Sequence, residues 1–324
     1  MTHQSLSPTE LIVRYAHDEL RLSTVGLAPA EAVPPEVWRA YQQTITGDAY
    51  AGLDYLQRYD DVRADPRKLL PEAKSIIVVA QSYYPPVKQP LEAPQVAYYA
   101  YGRDYHKVVR KKLERLLAFI QSEIDQTATG RVCCDTAPLL ERYWIMQSGL
   151  AYQGRSKMMI IPRLGTFFIY GFLVVSLPLE YGAAIDRSYC GRCRRCIDSC
   201  PGGALQADGT FLADRCLSYL TIEHRGAWPE GVAERLGNRL FGCDVCQTVC
   251  PHNAHCAPHD EPDFMIRPAI AQLTYEQLAS FTPQLYETLT IGSSMRRCAY
   301  EDLLRNAEAV LANHTTFLCQ DTTI

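Results

Sequence analysis

Apolar residues recur at helical spacing through residues 8–20, PTELIVRYAHDEL, behind Ser7, whose hydroxyl suits a helix cap. Pro34 and Pro35 interrupt the chain, and further helices are expected over 35–45 and roughly 49–59. The run AKSIIVVAQ at 73–81 is short and β-branched, the pattern of a buried strand, and a proline-rich loop follows at 83–94. The clearest helix covers 105–125. Val108, Leu113, Leu116, Leu117, Phe119 and Ile120 make its apolar face. Lys107, Arg110, Lys111, Lys112 and Arg115 make a basic one, read as a solvated face with a phosphate-facing role as the alternative. Strands are expected at 131–134, 157–161 and 167–178, with a helix at 138–148. Asp135 stands ahead of that helix and on pattern alone reads as its cap. Helices return at 274–281, 282–290 and 299–313, the last with Leu303, Leu304, Ala307, Val310 and Leu311 inward. No clean internal repeat is visible.

This rhythm predicts an α+β chain in three parts: an α/β domain over 1–183, a central domain over 184–258, and a short helical tail over 259–324.

The central part carries the chemistry. It reads C-x2-C-x2-C-x3-C-P at Cys190, Cys193, Cys196, Cys200 and Pro201, then C-x2-C-x3-C-P at Cys243, Cys246, Cys250 and Pro251, with Cys216 between. A C-x2-C-x2-C loop is tight enough for three thiolates to converge on one iron–sulfur cube. In two-cluster ferredoxin folds the last cysteine of each run serves the other cluster. Cys190, Cys193, Cys196 and Cys250 are therefore assigned to one [4Fe–4S] cluster, and Cys200, Cys216, Cys243 and Cys246 to the other. Cys216 takes the place of the first cysteine of the second run, displaced upstream by an insertion. Zinc ribbons and disulfides are the alternatives, and interleaved runs that each end in Cys-Pro favour clusters.

The chain has 324 residues, 47% of them hydrophobic, enough for a sizeable core. Its net charge of −4 leaves nucleic-acid binding to local basic patches. Five of the 13 cysteines, Cys133, Cys134, Cys256, Cys298 and Cys319, fall outside the cluster runs and make no disulfide framework. Free thiols and low-potential clusters suit a reducing compartment. The start, MTHQSLSPTE, has no charged region followed by an apolar core, and the longest apolar run, 167–179, is too short to span a bilayer. A soluble cytoplasmic monomer without membrane attachment is expected.

Two clusters carry electrons, and a ferredoxin needs only the cysteine-bearing stretch. The flanking residues should hold the group that receives the electrons. No G-x-G-x-x-G follows a strand and no P-loop is present. Asp104 and His106 are followed by Val109, so the D-x-H-x-x-G loop that gives some cobalamins an axial histidine is absent. A lone His106 reads as structural.

Several segments together are more specific: RADPRKLLPEAKSIIVVAQSYYP (63–85), YAYGRDYHKVVRKKL (99–113), CDTAPLLERYWIMQSGL (134–150), CGRCRRCIDSCPGGAL (190–205), RCLSYLTIEHRG (215–226), FGCDVCQTVCPHN (241–253) and SSMRRCAYEDLLRNA (293–307). With them the chain resembles the epoxyqueuosine reductases, cobalamin- and iron–sulfur-dependent enzymes that complete queuosine in tRNA, over nearly its whole length. The resemblance implies a nitroreductase-like N-terminal domain holding cobalamin with no histidine beneath the cobalt, a two-cluster ferredoxin-like centre, and a HEAT-like tail. It implies electron flow from a low-potential donor through the clusters to cob(II)alamin. The resulting cob(I)alamin would open an epoxide on the modified wobble base of tRNA, and loss of water would follow. A related cobalamin reductase, dehalogenase-like and acting on a small molecule, is the alternative, and a non-catalytic electron carrier is a third reading.

Residue by residue, the resemblance makes Asp135 the proton donor, a role suited to a carboxyl with a raised pKa in a closed pocket. It places Arg58, Tyr99, Asp135, Met159 and Ser218 at the cobalamin, and Glu223, His224 and Arg225 near the substrate nucleotide. Arg296, Arg297 and Arg305 are candidates for tRNA phosphate. This sequence departs from the family's GxGWxGKN segment: Gly149 and Gly154 are kept, but Tyr152, Arg155 and Ser156 stand where the family has Trp, Lys and Asn. Its tail is also shorter than that of members with a longer HEAT-like extension.

Overall fold

The computed structural model describes residues 6–47 and 50–321, with the side chains of 317–321 excepted. The chain forms two compact units, Met1–Ser82 with His106–Arg192, and Tyr83–Tyr105 with Cys193–Ile324.

The first unit is built on a sheet of four strands: β1 (Thr24–Pro29), β2 (Ser75–Ser82), β3 (Gly130–Cys133) and β4 (Phe168–Val175). Their order across the sheet is β1-β2-β4-β3, and every neighbouring pair is antiparallel. That pairing makes this unit α+β, one of the two arrangements, α+β or α/β, that the alternation of strands and helices allows. β2 lies in the interior with Val79 opposite both Val25 and Gly171, and its run is buried on both faces.

On one face, Ile76, Val78 and Ala80 join Phe172 and Val174 in a core with Trp144 and Ile145 of helix α4 (Glu141–Gln147). On the other face lies α3 (Tyr105–Glu123). There the sheet needs a glycine, because a Cβ on Gly171 would stand 2.5 Å from Val109 Cγ1 and 2.9 Å from Leu113 Cδ1. Helix α1 (Pro8–Asp18) opens as expected, with a reciprocal cap in which Ser7 N–H donates to Glu10 Oε2 at 2.7 Å and Glu10 N–H to Ser7 Oγ at 3.3 Å. Helix α2 (Pro35–Thr46) also forms where expected.

Three local expectations change. Over 49–59 the described residues form no α-helix: Tyr50 is in a 3-10 conformation, Asp54–Gln57 is a 3-10 turn, and Tyr59 at φ +60 leads into the single helical turn Asp60–Ala64; residue 49 lies outside them. The helix expected at 138–148 starts at Glu141, after Leu140 as its N-cap, so Asp135 is not its cap. The 157–161 segment narrows to a ribbon in which Met159–Ile160 pairs with Tyr152–Gln153.

The second unit joins parts that the sequence reading separates. Gln95–Val96 pairs in parallel with Arg239–Phe241. Around that ladder Val96, Ala100 and Tyr101 share one core with Ile222, Leu240 and Phe241, and with Leu303, Ala307 and Val310. The helices here are α5 (Leu217–Ile222), α6 (Val232–Leu236), α7 (Tyr275–Ala279), α8 (Pro283–Thr290) and α9 (Tyr300–Asp321). The cysteine region and the C-terminal helices thus form one body with residues 83–105, built on a shared apolar core. Among the described residues no helix is long and apolar enough to cross a membrane.

Candidate active site

From Cys193 onward the two cysteine runs lie in the second unit and fold alike. Arg195–Asp198 and Val245–Thr248 are each one helical turn, and in each the residue before the turn accepts two N–H bonds: Arg194 O from Ile197 and Asp198, and Asp244 O from Gln247 and Thr248. The last cysteine of each run is drawn back by the same bond, Cys200 N–H to Ile197 O and Cys250 N–H to Gln247 O. Pro201 and Pro251 then end the runs. Gly202 follows because a Cβ there would lie 1.9 Å from Arg215 O, the carbonyl preceding Cys216.

The sulfurs of Cys200, Cys216, Cys243 and Cys246 are brought together. Burial, first, and then neighbouring charges raise Cys216, Cys243 and Cys246. The Cys246 thiol is pushed well up by burial, then by Cys243, Cys216, Asp244 and Cys200. Cys216 is raised by burial and then by Cys200, against main-chain N–H donors from Tyr219 and Ser218. Burial likewise raises Cys243, to about 11. Buried sulfurs gathered in this way suit an assembly of cations that takes them as thiolates, and the main-chain N–H groups aimed at sulfur are the donors that tune such a cluster. Among the described residues no group of three or more His, Cys, Asp or Glu could hold a single metal ion. A cube with four separate irons spreads its thiolates more widely, and this set fits it. These four are the cysteines that the sequence assigns to one cluster, and their sulfurs are neighbours in the second unit.

Cys190 sits in the first unit, where Arg155 N–H lies 3.4 Å from its sulfur and the Arg155 guanidinium donates to Gly191 O at 3.0 Å. Two of the residues by which this chain departs from the family pattern, Tyr152 and Arg155, pack about this cysteine loop. Tyr152 is 1% exposed and meets the Tyr189 ring edge-on at 5.1 Å, and Ser156 is buried. In the second unit, Cys250 lines an open cavity of about 420 Å³ with Arg195, Ser199, Thr248 and Asn253.

Asp135 occupies the loop after β3. Its backbone is left-handed at φ +58, a conformation that costs a non-glycine residue roughly 1 kcal/mol or more. Asp135 N–H donates to Glu141 Oε1 at 3.0 Å, and Asp135 Oδ2 lies 3.0 Å from His106 Nε2. The carboxylate is 56% exposed, so in the chain alone it is open to solvent instead of enclosed as the sequence reading expects. Both partners escaped that reading: His106 is taken there as structural, and Glu141 is not singled out, although CDTAPLLER contains it. The Glu141 carboxyl is pushed up to about 8 by burial, and then by the negative charge of Asp135.

The residues expected at cobalamin divide between the units. Arg58 is exposed at the end of a 3-10 turn, and Met159 is buried in the sheet core of the first unit. Tyr99, against Tyr105 and Phe241, and Ser218, half-buried in α5, belong to the second. The first unit also buries Tyr50 Oη, Trp144 Nε1 and Tyr170 Oη without a partner among the described residues. A bound molecule with polar edges satisfies such atoms, so these residues fit one.

Every residue expected at tRNA is engaged within the second unit. Arg297 pairs with Glu223, Arg225 with Asp302 at 3.2 Å, and Arg296 with Glu287 at 2.6 Å. His224 Nε2 lies 2.9 Å from Ala227 O. Arg305 lies over the Trp228 ring at 4.1 Å and donates to Leu220 O at 3.2 Å.

Two runs of cluster-type cysteines, in the second unit but for Cys190, and an acidic loop held by a histidine in the first unit, define an iron–sulfur oxidoreductase. Family comparison agrees: residues 189–253 match the 4Fe-4S double cluster binding domain, and residues 63–136 match the model described as Epoxyqueuosine reductase QueG, DUF1730. The epoxyqueuosine reductase of Cyclobacterium marinum is 33% identical over 301 residues, covering 92% of this chain and 96% of its own. That of Pseudomonas aeruginosa is 35% identical, covering 91% and 82%. The chain belongs to the epoxyqueuosine reductase family. A crystal structure of epoxyqueuosine reductase with an epoxyqueuosine-modified tRNA-Tyr stem loop superposes with a TM-score of 0.83 at 28% identity, covering 94% of this chain and 81% of that one. The Bacillus subtilis enzyme, with its catalytic aspartate loop swung out of the active site, superposes at 0.82 with 27% identity, covering 94% and 81%.

Proposed function

We propose that this chain reduces epoxyqueuosine to queuosine at the wobble position of tRNA, using two [4Fe–4S] clusters and cobalamin. The observation that carries this reading is similarity across nine-tenths of the chain to epoxyqueuosine reductases, one of them crystallised with the modified tRNA stem loop. Cys190, Cys193, Cys196 and Cys250 would hold one cluster, and Cys200, Cys216, Cys243 and Cys246 the other. Arg58, Tyr99, Met159 and Ser218 are the proposed corrinoid contacts; Met159 is the weakest, its side chain being committed to the core.

The corrinoid, when bound, supplies a strongly reducing nucleophilic metal able to open an epoxide. The protein's own task is the protons. Converting an epoxide to an alkene and water takes two electrons and two protons. Asp135 holds one proton at Oδ2, and His106, 3.0 Å away, is placed to resupply it. Glu223, His224, Arg225, Arg296 and Arg297 would meet tRNA by exchanging internal partners for phosphate. A low-potential donor would feed the clusters.

The test is to incubate anaerobically reconstituted protein, cobalamin and a strong reductant with epoxyqueuosine-containing tRNA, then weigh the nucleosides. The expected product is lighter by one oxygen atom. An unchanged nucleoside, with the corrinoid demonstrably reduced, would overturn the reading.

A further inference from the structure

We propose that Glu141 is a positioning residue: its carboxyl oxygen holds the Asp135 main-chain N–H and thereby keeps the acidic loop in the left-handed form that sets the Asp135 carboxyl against His106. This rests on reading Asp135 as the proton donor. The strand ladder ends at Cys133, so nothing in the sheet fixes the Asp135 N–H. The loop itself is a pair of tight turns, with Thr136 N–H on Cys134 O at 2.6 Å and Leu139 N–H on Ala137 O at 2.8 Å; the first closes a three-residue turn centred on Asp135 but leaves the Asp135 N–H unused. A second restraint, on that N–H, comes from outside the loop. Glu141 is the first residue of α4, so the helix decides where its carboxyl stands. That helix is pinned by Trp144 and Ile145 in the sheet core, and by Ser148 just beyond it, whose carbonyl occupies the space left by the missing side chain of Gly26. His106 stands on α3, locked over Gly171 on the other face of the same sheet. Elements on opposite faces of one sheet therefore converge on a single residue, one taking its main chain and the other its side chain. A left-handed aspartate released from the first contact would relax toward ordinary φ and carry its carboxyl away from the second.

The experiment compares Glu141→Gln, which keeps an acceptor oxygen, with Glu141→Leu, which removes it. The Gln variant should stay within about threefold of the parent kcat, and the Leu variant should lose at least roughly tenfold in kcat with KM for the tRNA unchanged. In the unsubstituted protein the Asp135 amide should exchange with solvent on the order of a hundredfold more slowly than a free chain, and Glu141→Leu should abolish that protection. A parental kcat in Glu141→Leu sinks the proposal. So does an Asp135 amide exchanging at the free-chain rate in the unsubstituted protein, a measurement that needs no variant to fold. Asp135→Asn is assayed beside them. If it stays active, the proton-donor reading fails and takes this one with it. If it is dead while Glu141→Leu is fully active, only the positioning role is lost.

Discussion

Glu223 grips the Arg297 guanidinium at two points, Nε to Oε1 at 2.8 Å and Nη2 to Oε2 at 2.7 Å. The pair ties the end of α5 to the 3-10 turn ahead of α9, and Arg225 adds a bond to the carbonyl of Arg297 at 3.1 Å. Arg297→Ala should therefore do two separable things. Stability should fall by only about 0.5–1 kcal/mol, because the arginine is more than half exposed, which a melting curve reads. If Arg297 also meets a phosphate, the salt dependence of tRNA binding should lose about one unit of slope. An unaltered slope would make it a structural arginine alone.

Asp135→Asn should keep the broad iron–sulfur absorbance and tRNA binding, yet lower turnover by at least about a hundredfold, the usual loss of a general acid. Single-turnover mass analysis of the nucleosides checks this. Because its carboxylate is open to solvent, the variant should melt as the parent does, which separates lost chemistry from lost structure.

Glu141 gives a pH signature. Its folded-state pKa of about 8 lies above its ordinary 4.5, through burial and then Asp135, against the opposing pull of Arg142 and Arg63. Folding thus favours the protonated form. The stability this group contributes is whole below 4.5 and is lost as pH rises through about 8. Relative to Glu141→Gln, the parent should weaken across that window and then level off in anaerobic urea titrations. A constant difference between the two proteins would show that Glu141 titrates as an ordinary carboxylate.

Cys246→Ala should remove about half of the bound iron, since it empties one corner of a four-thiolate set. Cys298→Ala should remove none. Its thiol is fully buried, faces Thr221 O at 3.4 Å, and stands outside both cysteine runs. Iron analysis of the two purified proteins separates them, and equal iron contents would overturn the assignment of Cys246.

The cluster spacing, the buried strand and the longest helices were readable because each is a repeat of strong local signals. β2 is a continuous β-branched run, and α3 is amphipathic along its whole length. β1 was not readable. TVGLAP has a glycine and a proline in six residues and drew no strand expectation, yet the neighbouring β2 gives it a ladder, and its Gly26 is required by Ser148. The Asp135 site was half legible. The carboxylate came from a motif, but its two partners come from positions far along the chain or from the start of a helix whose onset was placed three residues too early. Pairing Glu141 with the Asp135 main chain depends on a positive φ, and no side-chain pattern announces one at an aspartate. The arginines near 223–228 and 296–305 were legible as basic residues. That each carries an internal partner was not, since their acids, Glu287 and Asp302 among them, are spread over three helices or the turns beside them.

The parallel ladder between Gln95–Val96 and Arg239–Phe241 has a consequence for biosynthesis. Tyr101 and Val96 emerge from the ribosome long before Phe241, Leu303 and Val310, which later cover them. For most of translation these apolar side chains lack their lasting neighbours, so the nascent polypeptide needs shelter until its final helix is released. A gene cut at residue 183 would sever partners on either side, and neither fragment should accumulate as a soluble, cooperatively melting product.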